Sequence, residues 1–335
     1  MDQIRALHLS SGDAIQAVLP PTFAIFTPLL LSNLAAIKST PFTTHSYGSH
    51  PRQTLDIYPS NSPSSSSSPI LIFFHGGGLI KGDKNLPHIA NGGLVYANLG
   101  AFFAQRGVTT VVPNYRRVDF EGEGEGARWP SGGEDVKYVM EWVDGWVKGE
   151  GGEGGKGGRE VFLCGNSAGG VHVSTFLLAD MFREERKRYV DGDERGEGKG
   201  VVLKGIVELA TPCHFHGAEE GRKVVMETYF GGGEDIKEKS VCGLLESVRK
   251  SGKARKELGI PERMYVAVGE FDPDDEIADS VKNFVEGWKE TFGEEGLVVK
   301  FMEGHNHISP ALALMSGDRK GENWAEELIE WMKKS

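Results

Sequence analysis

The chain is 335 residues long, with 39% hydrophobic and 25% charged residues, 48 Asp and Glu against 37 Lys and Arg, and a formal net charge of −11. This acidic balance excludes a nucleic-acid partner, because neutralising phosphates requires clustered positive charge. At roughly 150 residues per domain the length fits one large or two small domains with a core that needs no staples, and the three cysteines (Cys164, Cys213, Cys242) fit neither a disulfide framework nor a paired zinc-ligand pattern, so a reducing, cytoplasmic compartment is expected.

In chain order, the first segment of note runs from Ala14 to Ile37 and carries no charge. Pro20, Pro21 and Pro28, with Asp2, Arg5 and Asp13 upstream in place of a basic leader, argue against a membrane span or a signal peptide. Prolines at those spacings predict short helical pieces, Asp13 to Leu19 and Pro28 to Ile37. Membrane contact is not expected. The segment either covers a site as an apolar cap or mediates self-association as a homodimer.

Beyond Lys38, short β-rich runs alternate with longer helical patterns, the signature of an α/β domain whose mostly parallel sheet is covered by helices. Strands are predicted at Thr54 to Tyr58, Ile70 to Phe74, Val108 to Pro113, Glu160 to Cys164, Val201 to Leu209, Met264 to Val268 and Leu297 to Phe301. Helices are predicted at Gly92 to Gln105, Gly132 to Val147, Ala168 to Arg188, Asp275 to Phe292 and Trp324 to Lys334. Uninterrupted apolar strands such as Ile70 to Phe74 imply burial on both faces. The serine run Ser62 to Ser68, the Gly/Glu stretch Gly149 to Gly158 and the charged stretch Asp191 to Gly200 read as solvated surface insertions, too polar to offset their ordering entropy. Thr211 to Gly259 is far longer than an ordinary connection and holds helical patterns of its own, which points to a lid. The expectation is a single domain over residues 1–335, with cap material from about 1–42 and 211–260.

The most informative window is Gly165-Asn166-Ser167-Ala168-Gly169, set between an apolar strand and an amphipathic helix. A serine on a sharp strand-to-helix turn sits in a strained conformation, and small neighbours let the flanking segments approach closely. The helix that follows aims its free N–H groups and positive dipole end at the reacting centre. Such a pentapeptide also occurs by chance, so its context matters. That context is His75-Gly76-Gly77-Gly78 at the end of the strand Ile70 to Phe74, where glycines let backbone N–H groups converge on one point. Gly77, Gly78 and Ala168 are the expected oxyanion donors, and His75 is expected to order the loop.

A serine hydroxyl needs a histidine base, and that histidine needs a carboxylate to fix its tautomer and stabilise its cation. Both should follow the serine on loops after later strands. Phe271-Asp272-Pro273 follows one such strand, and Gly304-His305-Asn306-His307 follows the next. Asp272 is assigned as the acid, with Asp274 and Asp275 as competitors. His305 is assigned as the base because it directly follows Gly304 on the predicted loop, with His307 as its competitor. The pairs His305/His307 and His214/His216 are also spaced for metal binding, but no further ligand lies at a recognisable interval. Cys164, inside the strand before the serine, reads as a buried small hydrophobe. No cofactor is implied, since serine, histidine and aspartate supply both nucleophile and proton transfer.

On these residues the sequence resembles the α/β-hydrolase superfamily, in particular hormone-sensitive-lipase-like carboxylesterases and the related small-ester and arylformamide hydrolases. The resemblance runs from about Tyr47 to Met332. It also includes Tyr47-Gly48, Arg52 to Pro59, Lys81-Gly82-Asp83-Lys84, Asn114-Tyr115-Arg116, Trp129-Pro130 and Glu134-Asp135-Val136. Asn166, Asn114 and Leu79 depart from the residues more usual at their positions. The resemblance implies attack by Ser167, an acyl-enzyme, and deacylation by a water activated by His305. The expected substrate is a carboxylic ester of a small or medium apolar molecule. Amide cleavage of the arylformamide type, nonhydrolytic lyase, cyclase or transacylase chemistry, and a noncatalytic binding role are the alternatives.

Overall fold

Alternating buried strands and amphipathic helices become, in the computed structural model, one eight-stranded sheet with helices on both faces. The structure describes residues 1–62, 68–86, 93–118, 126–149, 158–190, 200–218 and 220–334. The three expected surface insertions fall almost wholly at 63–67, 150–157 and 191–199, outside the described residues.

The strands are β1 (Thr43–Ser46), β2 (Thr54–Tyr58), β3 (Ile70–Phe74), β4 (Thr109–Pro113), β5 (Arg159–Asn166), β6 (Val201–Leu209), β7 (Arg263–Phe271) and β8 (Leu297–Asn306). Their order across the sheet is β1-β2-β4-β3-β5-β6-β7-β8. β2 pairs antiparallel with β1 and β4, and every pairing from β4 to β8 is parallel. β1, polar and mostly exposed, has no apolar alternation to mark it in the sequence.

The helices, in chain order, are α1 (Asp2–Ser11), α2 (Ile15–Ser32), α3 (Leu34–Lys38), α4 (Ala97–Ala104), α5 (Ser131–Gly149), α6 (Ala168–Leu178), α7 (Arg183–Val190), α8 (Lys223–Phe230), α9 (Gly233–Lys239), α10 (Val241–Ser251), α11 (Asp279–Phe292), α12 (Ser309–Ala313) and α13 (Arg319–Lys333). Side chains alternate across a strand, and β3 uses both faces: Ile70, Ile72 and Phe74 enter one apolar cluster with α5, α6, α8, α10 and α11. Leu71 and Phe73 enter a second cluster with α2, α4 and α13. The expected helix from Ala168 to Arg188 divides into α6 and α7 at Ala179, whose backbone is extended (ψ 129°), and the fully buried Arg186 guanidinium donates to carbonyls at that break. Its Nη1 lies 2.6 Å from Phe176 O and 2.8 Å from Ala179 O.

The prolines do not break the N-terminal segment, contrary to expectation. α2 is continuous, with Pro20, Pro21 and Pro28 inside it. A proline removes an N–H and leaves the carbonyl four residues earlier without its partner. Those carbonyls belong to Gln16, Ala17 and Ala24, all exposed residues whose carbonyls water can serve. The opposite face, Ile15, Val18, Thr22, Phe26 and Leu30, is buried, and each large apolar side chain withdrawn from water offsets the cost by about 1.5–3 kcal/mol. The segment between β6 and β7 holds α8, α9 and α10, and Tyr229 of α8 ties it to the start of α5. Its carbonyl accepts from Trp129 N (2.7 Å) and its hydroxyl from Gly132 N (3.2 Å).

Near the C-terminal end of β6 lies a fully buried carboxyl, Glu208, bonded to the Ser174 hydroxyl of α6 (2.7 Å) and the Thr211 hydroxyl beyond β6 (2.6 Å). Burial outweighs these two bonds and pushes its pKa from 4.5 up to about 8. Between those values the folded chain holds a proton that the unfolded chain has released, so Glu208 contributes stability that is lost as pH rises. Urea unfolding should therefore show the advantage of the wild type over Glu208→Gln shrinking from pH 5 to pH 8, by on the order of 3 kcal/mol. Phe26→Ala should lower unfolding stability by about 3 kcal/mol, because the buried ring leaves a cavity in the second cluster. Loss of less than about 0.5 kcal/mol in the same urea experiment would mean that α2 is not part of the cooperative fold.

Candidate active site

The C-terminal ends of β3, β5, β7 and β8 bring together the residues singled out in the sequence. β5 ends at Asn166, and Ser167 follows with φ 52° and ψ −118°, a strained conformation for a residue with a side chain. The turn is held by Ser167 N donating to Leu209 O at 2.9 Å. It is possible only because its neighbours are glycines. A Cβ on Gly165 would lie 2.3 Å from Gly170 Cα, and one on Gly169 would lie 2.1 Å from Phe74 O. α6 begins at Ala168, so its first N–H groups face the space beside the serine.

The glycine loop after β3 lies against this turn, since a Cβ on Gly76 would sit 3.3 Å from Ser167 Cβ. Gly77 and Gly78 take φ of 142° and 60°, left-handed conformations that glycine adopts at little cost. Among the described residues, neither N–H has a backbone acceptor. His75, fully buried, orders the loop from beneath. Its ring nitrogens face Gly76 O (2.8 Å) and Asn114 Oδ1 (3.1 Å), and its ring stacks on Tyr115 at 4.5 Å. Burial lowers its pKa to about 4 and keeps it neutral.

Asp272 directly follows β7, with its side chain fully buried. One carboxylate oxygen accepts from Gly269 N (2.5 Å), and the other lies 2.6 Å from Nδ1 of His307. His307 Nε2 in turn lies 2.9 Å from Ser167 Oγ. Asp274 and Asp275 are exposed, and among the described residues neither is hydrogen-bonded to Ser167, His307 or Asp272.

The histidine that bridges serine and aspartate is therefore His307, which corrects the assignment of His305. The expectation placed the end of the last strand at Phe301, with His305 on the loop. β8 instead pairs with β7 as far as Asn306, opposite Phe271. His305 is thus a strand residue, 1% exposed, with Nδ1 2.9 Å from the Ser309 hydroxyl. Its burial pushes the pKa down to about 4. The chain turns at Asn306, whose Oδ1 accepts from the N–H of Ile308 (3.1 Å) and Ser309 (3.0 Å) at the start of α12. The sequence held one signal for this: Pro310, now in the first turn of α12, marks a helix starting close after the histidines.

Among the described residues, no three His, Cys, Asp or Glu side chains converge as a metal site. His305 and His307 face different partners, and His214 stacks on His216 at 4.4 Å with its Nε2 against Asn283. Cys164 is fully buried, and burial raises its thiol well above the ordinary range.

A family model described as BD-FAE matches residues 55–244, more than half of the chain. No curated protein matches it in sequence. Among solved structures it is similar to Esterase B from Lactobacillus rhamnosis, at 15% identity and a TM-score of 0.62, over 99% of this chain and 96% of that one. It is also similar to carboxyl esterase 2 from the mycorrhizal fungus Tuber melanosporum (16% identity, TM-score 0.60, 88% of each chain). Esterase LipW from Mycobacterium marinum is a further likeness, at 14% identity and a TM-score of 0.60 over 96% of this chain and 90% of that one. At such identities the solved structures establish the shared fold. With the family match over β2 to α10, the chain belongs to the BD-FAE family and has the α/β-hydrolase fold.

Proposed function

We propose that this chain is a serine hydrolase that cleaves a carboxylic ester through an acyl-enzyme. The observation that carries the reading is His307 lying within hydrogen-bond reach of both Ser167 and the buried Asp272. The esterases among the solved structures of the same fold support it.

Asp272, its other oxygen occupied by Gly269 N–H, holds the His307 Nδ1 proton and leaves Nε2 free to accept. Ser167 Oγ attacks the ester carbonyl carbon as its proton moves to Nε2. The carbonyl oxygen becomes an oxyanion facing the N–H groups of Gly77, Gly78 and Ala168, at the positive end of α6. Collapse of the tetrahedral intermediate breaks the bond to the alcohol oxygen, which leaves with the proton from Nε2. Water then attacks the acyl-enzyme, gives a proton to His307, and the second collapse releases the carboxylic acid and restores Ser167. Uncharged material between Ala14 and Ile37 and the helical segment after β6 favour a small or medium apolar ester.

The test is hydrolysis of a p-nitrophenyl ester chain-length series with fluorophosphonate labelling of the same proteins. Ser167→Ala should lose labelling and about 10³-fold or more of kcat, and Asp272→Asn about 10³–10⁴-fold. His307→Gln should fall comparably, whereas His305→Gln should stay within about fivefold once corrected for folded fraction. Equal losses at the two histidines would remove the assignment of His307 as base. Labelling of Ser167 without turnover of any ester would overturn ester hydrolysis while leaving an activated serine.

A further inference from the structure

We propose that Thr22, on the N-terminal helix α2, is a positioning residue for the His307 base, acting through Asn306. This inference rests on the hydrolase reading above and extends it to a residue 285 positions away from the base, in a segment that lies outside the region matched by the family model.

Thr22 is fully buried, and its hydroxyl is committed in both directions. It donates to Val18 O at 2.7 Å and accepts from Asn306 Nδ2 at 2.8 Å. Asn306 is 2% exposed. Its Nδ2 is thereby anchored on α2, while its Oδ1 holds the N–H groups of Ile308 and Ser309. The Ser309 hydroxyl closes the same turn, accepting from Asn306 N at 3.1 Å. His307 is the one residue between the anchored asparagine and the two N–H groups it holds. The imidazole direction follows from this turn, because two distances of 2.6 and 2.9 Å to separate partners leave little room for the backbone to shift. Without the Thr22 hydroxyl, the amide donor of Asn306 is buried without its partner, and the turn is free to rotate towards another acceptor.

The experiment compares Thr22→Val, which keeps shape and removes the hydroxyl, with Thr22→Ser, which keeps the hydroxyl. Both are read as kcat and KM on a p-nitrophenyl ester, normalised to serines titrated by a fluorophosphonate. The expected result is a fall of about tenfold in kcat for Thr22→Val with KM within about twofold, and recovery to within about twofold of wild type in Thr22→Ser. A merely structural role would lower the titrated fraction and leave kcat per site unchanged, which would overturn the proposal, as would equal losses in the two variants. Should Thr22→Val fail to fold, Thr22→Ala removes the same hydroxyl with no methyl groups to accommodate. It is expected to show the same kcat loss, and wild-type kcat there overturns the proposal. The rate of Ser167 labelling reads the base without any ester. If the wild type hydrolyses no ester, the hydrolase reading fails by itself, while slower labelling in Thr22→Val still decides the positioning role.

Discussion

Everything at the site depends on how closely three backbone segments approach where β5 turns into α6. The turn is strained at Ser167, and strain of that kind persists only where the surroundings fix it from several sides. Here the fixing is steric. Gly169 lies under the Phe74 carbonyl at a distance no side chain permits, which draws the glycine loop after β3 against the serine. Gly165 meets Gly170 in the same way, which sets the angle at which α6 leaves the sheet. The serine, the glycine-loop N–H groups and the start of α6 therefore share one rigid corner. The imidazole and carboxylate need only be delivered to it from the ends of β8 and β7.

That corner was the part most legible in the sequence, because glycine spacing and an apolar strand are local signals with a direct geometric meaning. The central strands were equally legible: β2, β3 and β6 fall where the apolar runs begin and end. Legibility failed where an element's length is set by its partner. β8 carries Lys300 and Glu303 and looks finished at Phe301, yet pairing with β7 carries it on to Asn306 and turns the apparent loop histidine into a core residue. α2 failed for a related reason. Three prolines predict breaks, and the cost of the missing hydrogen bonds is overridden by burial of a face that can be recognised only once the sheet it covers exists.

Histidine is a poor signpost in this chain for an electrostatic reason. His75, His172 and His305 are buried, and burial pushes their pKa values to about 4, 3 and 4. Held neutral, they serve as aromatic packing units with polar edges: His75 stacks beneath the glycine loop, and His172 packs edge-on to Tyr115 at 4.5 Å. His307 differs in its partners. It lies between a hydroxyl and a buried carboxyl whose other donor, among the described residues, is the Gly269 N–H.

The N-terminal helix α1 touches the ends of both late strands, β7 and β8, at once. Arg5 of α1 forms a two-pronged pair with Glu270 (2.9 and 2.8 Å), the same carboxylate takes the Gly304 N–H at 2.7 Å, and His8 stacks on Phe271 at 4.4 Å. During synthesis the first forty residues leave the ribosome long before the strands they clasp. α2 must carry its apolar face unshielded until β8 and α12 have been made, so its docking joins segments 284 positions apart in sequence. Contacts of such sequence separation form late and slowly. A nascent chain of this kind brings His307 beside Ser167 only once β8 has been made, and the interval before closure is when it is most exposed to association with other unfinished chains.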